Sequence, residues 1–151
     1  MKIVSEKIPA ALYRKIYKTL PIFCVDVVAV NWKREFLLVR RKLPPLRGSW
    51  WFPGGRVLKN ETVAQTAVRK LREETNLAGK FIEPLGFYEF ISPRGYFRGT
   101  NTHTPIVTCL VEVKKESAVA LDAQSSDFRW ASKIEKNFLK YIQEALRAAG
   151  F

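Results

Sequence analysis

A chain of 151 residues is long enough to bury a real core, and 47% apolar content with ten phenylalanines excludes intrinsic disorder. Lysine and arginine number 26 against 14 acidic residues, a net charge of +12, which points to a polyanionic ligand such as a nucleotide, a nucleic acid or an anionic membrane, or else to a basic solvated surface. Cys24 and Cys109 lie far apart, each in an apolar run, which excludes a close-spaced metal or redox pair and predicts buried free thiols in a reducing compartment.

Residues 8–19, IPAALYRKIYKT, are predicted as a short amphipathic helix that Pro21 stops. IFCVDVVAV (22–30) reads as a central strand, NWKRE as a turn and FLLVRRK (36–42) as the hairpin partner. LPPLRGS is a loop, and WWFPGG carries bulky aromatics into a glycine turn. A long helix follows. Asn60 is its expected N-cap, Glu61 falls in its first turn near the positive helix end, and Asn76 can take the left-handed conformation that ends it. Val63, Ala64, Ala67, Val68 and Leu71 form its apolar stripe. Beyond it come a strand, GFYEFI, within 79–92, a polar loop with aromatics (92–103), strands at 105–113 and 127–132, and a C-terminal helix at 133–149. Neither repeats nor a linker interrupt this order, so one domain over 1–151 with a mixed sheet between helices is expected. The charged start, with Lys2, Glu6 and Lys7, has no signal-type apolar block, and the stretch PIFCVDVVAV is too short to span a bilayer and contains Asp26. The expectation is a soluble cytoplasmic protein.

The long helix gathers carboxylates at its end, in a chain otherwise rich in cations. At roughly 100° per residue, Glu74 falls on the flank of the apolar stripe and Glu73 on the far side. Lys70 precedes Glu74 by one turn and Arg69 precedes Glu73, so on the helix alone these are two ordinary ion pairs worth a few tenths of a kcal/mol each, roughly. The glycine turn ahead of the helix adds another possibility. Hard divalent cations take several oxygen ligands, and a glycine loop lets a backbone carbonyl approach one closely.

The segment from Gly55 to Leu77 resembles the Nudix box, G-x5-E-x7-R-E-U-x-E-E-x-G-U, where U is a bulky aliphatic residue. Gly55, Glu61, Arg69, Leu71, Glu73, Glu74 and Leu77 match at the required spacing. Lys70 stands where the pattern has glutamate and Asn76 where it has glycine; the second change keeps the backbone geometry. The resemblance implies an α/β fold (α+β in its sheet connections), a Nudix-type α/β/α sandwich with a mixed β-sheet.

The wider sequence is similar to the GDP-mannose mannosyl hydrolase branch, whose box is also degenerate. The similarity runs through TLPIFCVDVVAV, REFLLVRR, RGSWWFPGGRVLKNET and LDAQSSDFRWAS. It implies one Mg²⁺ (or Mn²⁺) held by the Gly54 carbonyl, Glu74 and Gln124. It implies a phosphate grip for Arg41 and neutralisation of the leaving diphosphate by Arg56, tasks that suit a planar fork of donors. Arg56, Arg69 and Glu73 are the residues expected in catalysis, and Asp26 matches a position linked to dimer contacts, which implies a homodimer. That branch has a histidine base after the glutamine, whereas this chain reads Gln124-Ser125, and serine cannot take up a proton at neutral pH as imidazole does. His103, Asp127, Asp122 and Glu73 are the other candidates for the base. His103, the sole histidine, is expected as an exposed loop residue. Tyr96 and Phe97, among Arg94 and Arg98, are candidates to stack on a base, while Trp51 and Phe52 read as core.

The reading is hydrolysis of a nucleoside diphosphate derivative, a nucleotide sugar, with release of GDP and sugar by attack at carbon. The alternatives are a pyrophosphatase attacking phosphorus, as with ADP-ribose or nucleoside triphosphates, a nucleotide-binding module without turnover, and an RNA-directed protein suggested only by the charge.

Overall fold

The computed structural model describes residues 1–114 and 118–151. Seven strands form one mixed sheet, and the alternation of side chains along them decides what packs on each face. Strand β1 (Cys24–Val30) sits at its centre, antiparallel to β2 (Phe36–Arg41) and parallel to β6 (Thr102–Val113). Beyond β2 lies β3 (Trp50–Trp51), and beyond β6 lies β5 (Gly79–Ser92). The short β4 (Gly54–Arg56) pairs with β1, and β7 (Ser125–Ala131) pairs with β2. Val25, Val27 and Ala29 of β1 point to one face and meet Ala67 and Leu71 of α2 (Val63–Thr75). Val28 and Val30 point to the other and meet Tyr141, Ile142 and Leu146 of α3 (Lys140–Ala148). This is the α/β/α sandwich the sequence predicts, with a continuous apolar β1 because both its faces are covered. Helix α1 (Ala10–Thr19) buries none of its residues; its Tyr13 and Tyr17 rings meet Phe97 edge-on. Among the described residues no helix is long and apolar enough to cross a membrane.

Several boundaries depart from expectation, with α1 starting at Ala10, β1 at Cys24 and β7 at Ser125, and three departures are larger or bear on the site. The N-cap of α2 is Thr62, two residues after Asn60. Thr62 and Gln65 form a reciprocal capping box, with the Gln65 N–H on the Thr62 hydroxyl at 3.2 Å and the Thr62 N–H on Gln65 Oε1 at 2.9 Å. Asn60 instead takes a left-handed φ of 69° in the preceding turn, and Glu61 lies ahead of the helix rather than in its first turn. Asn76 does end α2, at φ 60°. At the other end of the chain α3 starts at Lys140 and not at 133. Strand β6 starts at Thr102, because β5 is long enough to draw Thr102 and His103 into the ladder opposite Ser92 and Ile91. His103 is therefore a strand residue.

Replacing Thr62 with Ala removes one half of the box and is expected to cost about 1 kcal/mol of stability. Urea unfolding of the variant against the parent checks it, and overlapping curves would show that the cap contributes nothing.

Candidate active site

The crossing of β1, β4 and the C-terminal half of α2 shapes a cavity of about 530 Å³. Its wall includes Asp26, Arg41, Gly54, Gly55, Arg56, Lys70, Glu74, Gln124 and Ser125, with Tyr13, Tyr17 and Tyr96 at the side of α1. The antiparallel pairing of Gly54 with Asp26 and of Arg56 with Cys24 sets the glycine turn against β1. A side chain at 54 would collide with the Asp26 carboxylate and the Val25 carbonyl, so only glycine lets these two strands approach here.

The helix supplies Glu74, which is 5% exposed. Its Oε2 accepts the Gly54 N–H at 3.3 Å, and its Oε1 lies 2.9 Å from the Lys70 ammonium. Lys70 is itself buried and also reaches Glu73 Oε2 at 3.3 Å. Burial disfavours the ammonium, but the charges and hydrogen bonds of Glu74 and Glu73 outweigh it, and the Lys70 pKa stands above the ordinary lysine value.

Arg69 and Glu73 stand outside the cavity. The Arg69 guanidinium binds Glu61 through Nε at 2.6 Å and through a terminal nitrogen at 2.8 Å. It also reaches Glu73 at 3.1 and 3.2 Å and donates to the Arg56 carbonyl at 3.0 Å. One side chain thus ties the turn before α2, the end of β4 and the helix itself. This is a positioning role for Arg56, whose own guanidinium lies 5.2 Å over the Tyr13 ring. Glu61 accepts from the Leu58 N–H and the Thr66 hydroxyl as well. Burial alone would raise its pKa, but these hydrogen bonds, chiefly from Arg69, lower it to about 2.

The remaining sequence candidates separate cleanly. Arg41 lines the cavity and donates to the Pro45 carbonyl at 3.2 Å. Gln124 lines it too, with its amide 3.3 Å from Asp122 Oδ2. Tyr96 borders it, but Phe97 packs between Tyr13, Tyr17 and Tyr96 and anchors α1. His103 is corrected as a candidate base: Thr102 and Thr104 face the cavity, so strand alternation turns His103 to the opposite face, where it meets Glu89 at 3.3 Å. Asp127 is corrected likewise. It is exposed, lies outside the cavity wall, and accepts the Phe128 N–H at 2.8 Å. Cys24 lines the cavity, and burial pushes its thiol up to about 12, away from the reactive thiolate.

Sequence reasoning missed Asp26 as a site residue. It is 5% exposed, and its Oδ2 accepts the Trp51 indole N–H and the Tyr141 hydroxyl, each at 2.9 Å. Thr108 donates in turn to Tyr141 at 2.7 Å. Burial pushes the Asp26 pKa up to about 7 against the hydrogen bond from Tyr141 and the charge of Arg41. Both of its partners belong to its own chain, and its carboxylate lines the cavity. An aspartate inside an otherwise apolar strand was the available signal.

For a divalent ion, the chemistry of the donors is the test. Among the described residues no three His, Cys, Asp or Glu side chains converge, so a ligand set here must draw on neutral oxygens. The Gly54 backbone and the Gln124 amide bring such oxygens to the same cavity as the Glu74 carboxylate, which fits a hard cation in kind. The place next to Glu74 is held by Lys70.

The sequence pattern described as the NUDIX domain matches residues 21–144. The chain is 25% identical over 144 residues to the low-salt glycan biosynthesis protein Agl8 of Haloferax volcanii, covering 95% of this chain and 92% of that one. It is 33% identical over 110 residues to an ADP-ribose pyrophosphatase of Methanocaldococcus jannaschii, covering 72% of this chain and 61% of that one. Its fold is similar to the NUDIX domain of Shewanella oneidensis NrtR, crystallised with ADP ribose, at a TM-score of 0.61 and 24% identity over 94% of this chain and 99% of that one. The chain belongs to the NUDIX domain family and is a hydrolase of that family.

Proposed function

We propose that the chain hydrolyses a sugar-bearing nucleoside diphosphate with the help of a divalent ion, Mg²⁺ or Mn²⁺. The observation that carries this is the meeting of Arg41, Arg56 and Glu74 in one cavity. Two guanidinium groups suit a diphosphate, and the single helix carboxylate beside the glycine turn suits a hard cation. The similarity to a glycan biosynthesis protein and to an ADP-ribose pyrophosphatase supports a substrate in which a sugar is joined to a nucleoside diphosphate. When bound, the ion supplies positive charge to the diphosphate oxygens and eases departure of the leaving group.

The residues of the chain do the rest. Arg56 neutralises charge that develops on the departing phosphate, and its backbone is held for that task by Arg69. Arg41, whose Nε donates to the Pro45 carbonyl, grips a phosphate oxygen with its terminal nitrogens. Tyr96, still 43% exposed, offers a face for the base or the sugar. Glu74, Gly54 and Gln124 would hold the ion.

Attack at phosphorus is the second reading, and Ser125 favours it. The residue after Gln124 is buried at the cavity wall and carries no imidazole, and His103 faces away. Incubation with GDP-sugars, ADP-ribose, ADP-sugars and triphosphates in ¹⁸O-labelled water separates the two. Label in the free sugar is the outcome for carbon attack, and label in a phosphate is the outcome for phosphorus attack. No turnover of any sugar-bearing diphosphate would sink the proposal.

A further inference from the structure

Lys70 is a charged residue of the cavity, in direct contact with Glu74, that the function above leaves unused. A helical lysine ordinarily runs its stem to the surface and keeps its ammonium in water. This one is folded inward, with a side chain only 10% exposed. Its ammonium sits 2.9 Å from Glu74 and 3.3 Å from Glu73. The glycine turn is built around it. A Cβ at residue 55 would stand 2.7 Å from Lys70 Cε, and the backbone there has a φ of 157° that side chains rarely adopt. The turn that precedes the helix therefore leaves room for this side chain, and two carboxylates meet its charge.

We propose that Lys70 is a built-in cation, seated where a divalent ion would bind beside Glu74, so that metal binding requires the ammonium to leave. The inference rests on the reading of Glu74 as the ligand carboxylate. The physical reason is the sign of the charge. An ammonium at hydrogen-bond distance from a carboxylate both blocks one of its oxygens and repels a second cation from it. A buried Glu74 without any cation would be an uncompensated charge, and Lys70 removes that cost in the metal-free chain. The chain exchanges one cation for another at a carboxylate that is never left alone.

The test is Mn²⁺ binding, followed by the electron paramagnetic resonance of the free ion, with no nucleotide present. The wild-type chain is compared with Lys70→Met and Lys70→Gln. Both variants are expected to bind Mn²⁺ at least about ten-fold more tightly, because a like charge has been removed from the ligand oxygen. Their unfolding midpoints are expected to rise with Mn²⁺ far more than that of the wild type at the same concentration. Adding Glu74→Gln to Lys70→Met is expected to abolish both gains. Equal Mn²⁺ affinity in the three proteins would overturn the inference.

Should the variants fold only when Mn²⁺ is supplied during refolding, the ion has taken the place of the ammonium and the inference stands. A second measurement uses the wild type alone. The ¹⁵N resonance of the Lys70 ammonium is expected to move as Mg²⁺ is added; a resonance that stays fixed while the Glu74 carboxyl carbon responds would overturn it. Tighter Mn²⁺ binding in the variants without hydrolysis by any form removes the proposed function and keeps this inference. Hydrolysis with equal Mn²⁺ affinities does the reverse.

Discussion

Replacing Glu74 with Gln is expected to lower kcat by at least about 10²-fold on whichever sugar-bearing diphosphate the wild type turns over, since removal of one preorganised charge-stabilising group commonly has this effect. The substitution keeps the size of the side chain, and the amide oxygen can still accept the Gly54 N–H that Glu74 accepts at 3.3 Å. What it removes is the negative charge. Glu74 and Asp26 are the carboxylates in the cavity wall, and Asp26 already accepts two hydrogen bonds on one oxygen. The cavity would then hold Arg41, Arg56 and Lys70 with no helix carboxylate to bind an ion against them. Lys70 would keep only the more exposed Glu73, at 3.3 Å, and the fold is expected to lose on the order of 3 kcal/mol for the broken buried pair. Thermal unfolding therefore accompanies the rate measurement, which is made well below the midpoint of the variant. A folded variant with undiminished kcat would refute the assignment of Glu74 as the functional carboxylate.

Much of this architecture is legible in local pattern. The apolar stripe of α2 predicts its buried side, and Ala67 and Leu71 are fully buried there. The run VDVVAV predicts a strand covered on both faces, and the alternation of Val25, Val27 and Ala29 against Val28 and Val30 between two helices is that strand. Asn76 is legible because a left-handed helix end has few residues to choose from. Failures occur where a tertiary partner outweighs a local preference. Asn60 looks like a cap, but its side chain donates to the Lys2 carbonyl at 2.8 Å and its backbone is spent on a turn.

Residues 133–139 carry helical periodicity, yet Glu135 is held by Arg129 at 2.8 Å and Phe138 packs into the core, so the chain stays irregular until Lys140. The pairing of Arg69 with Glu73 is visible from their spacing, but the stronger partner, Glu61, lies across a turn. Asp26 is the largest omission. Its environment is made by Trp51 and by Tyr141, 115 residues away, and no window of sequence contains that.

Glu61 carries the second large effect, and it is an effect on stability. Its side chain is 1% exposed at its contact with Arg69. Its pKa falls from 4.5 to about 2 on folding, because hydrogen bonds from Arg69, Thr66 and the Leu58 N–H overcome the opposing effect of burial. A carboxylate with a depressed folded pKa contributes stability that is present in full above the unfolded value. That contribution is lost as pH falls through the folded value. The window is therefore about 4.5 down to about 2. At ~1.4 kcal/mol per unit of pKa, the contribution at neutral pH is about 3 kcal/mol.

Glu61→Gln is expected to lose about that much at pH 7, while the gap to wild type narrows steadily below pH 4.5 and closes near pH 2. Urea unfolding of both proteins across that range measures the gap directly. A gap that is constant with pH would mean that the glutamate acts through its shape alone and that the ion pair contributes nothing. Because Arg69 also holds the Arg56 carbonyl at 3.0 Å, loss of its main partner is expected to loosen the Arg56 turn. A rise in KM at pH 7, in protein that remains folded, is the sign that the pair positions the cavity as well as supporting the fold.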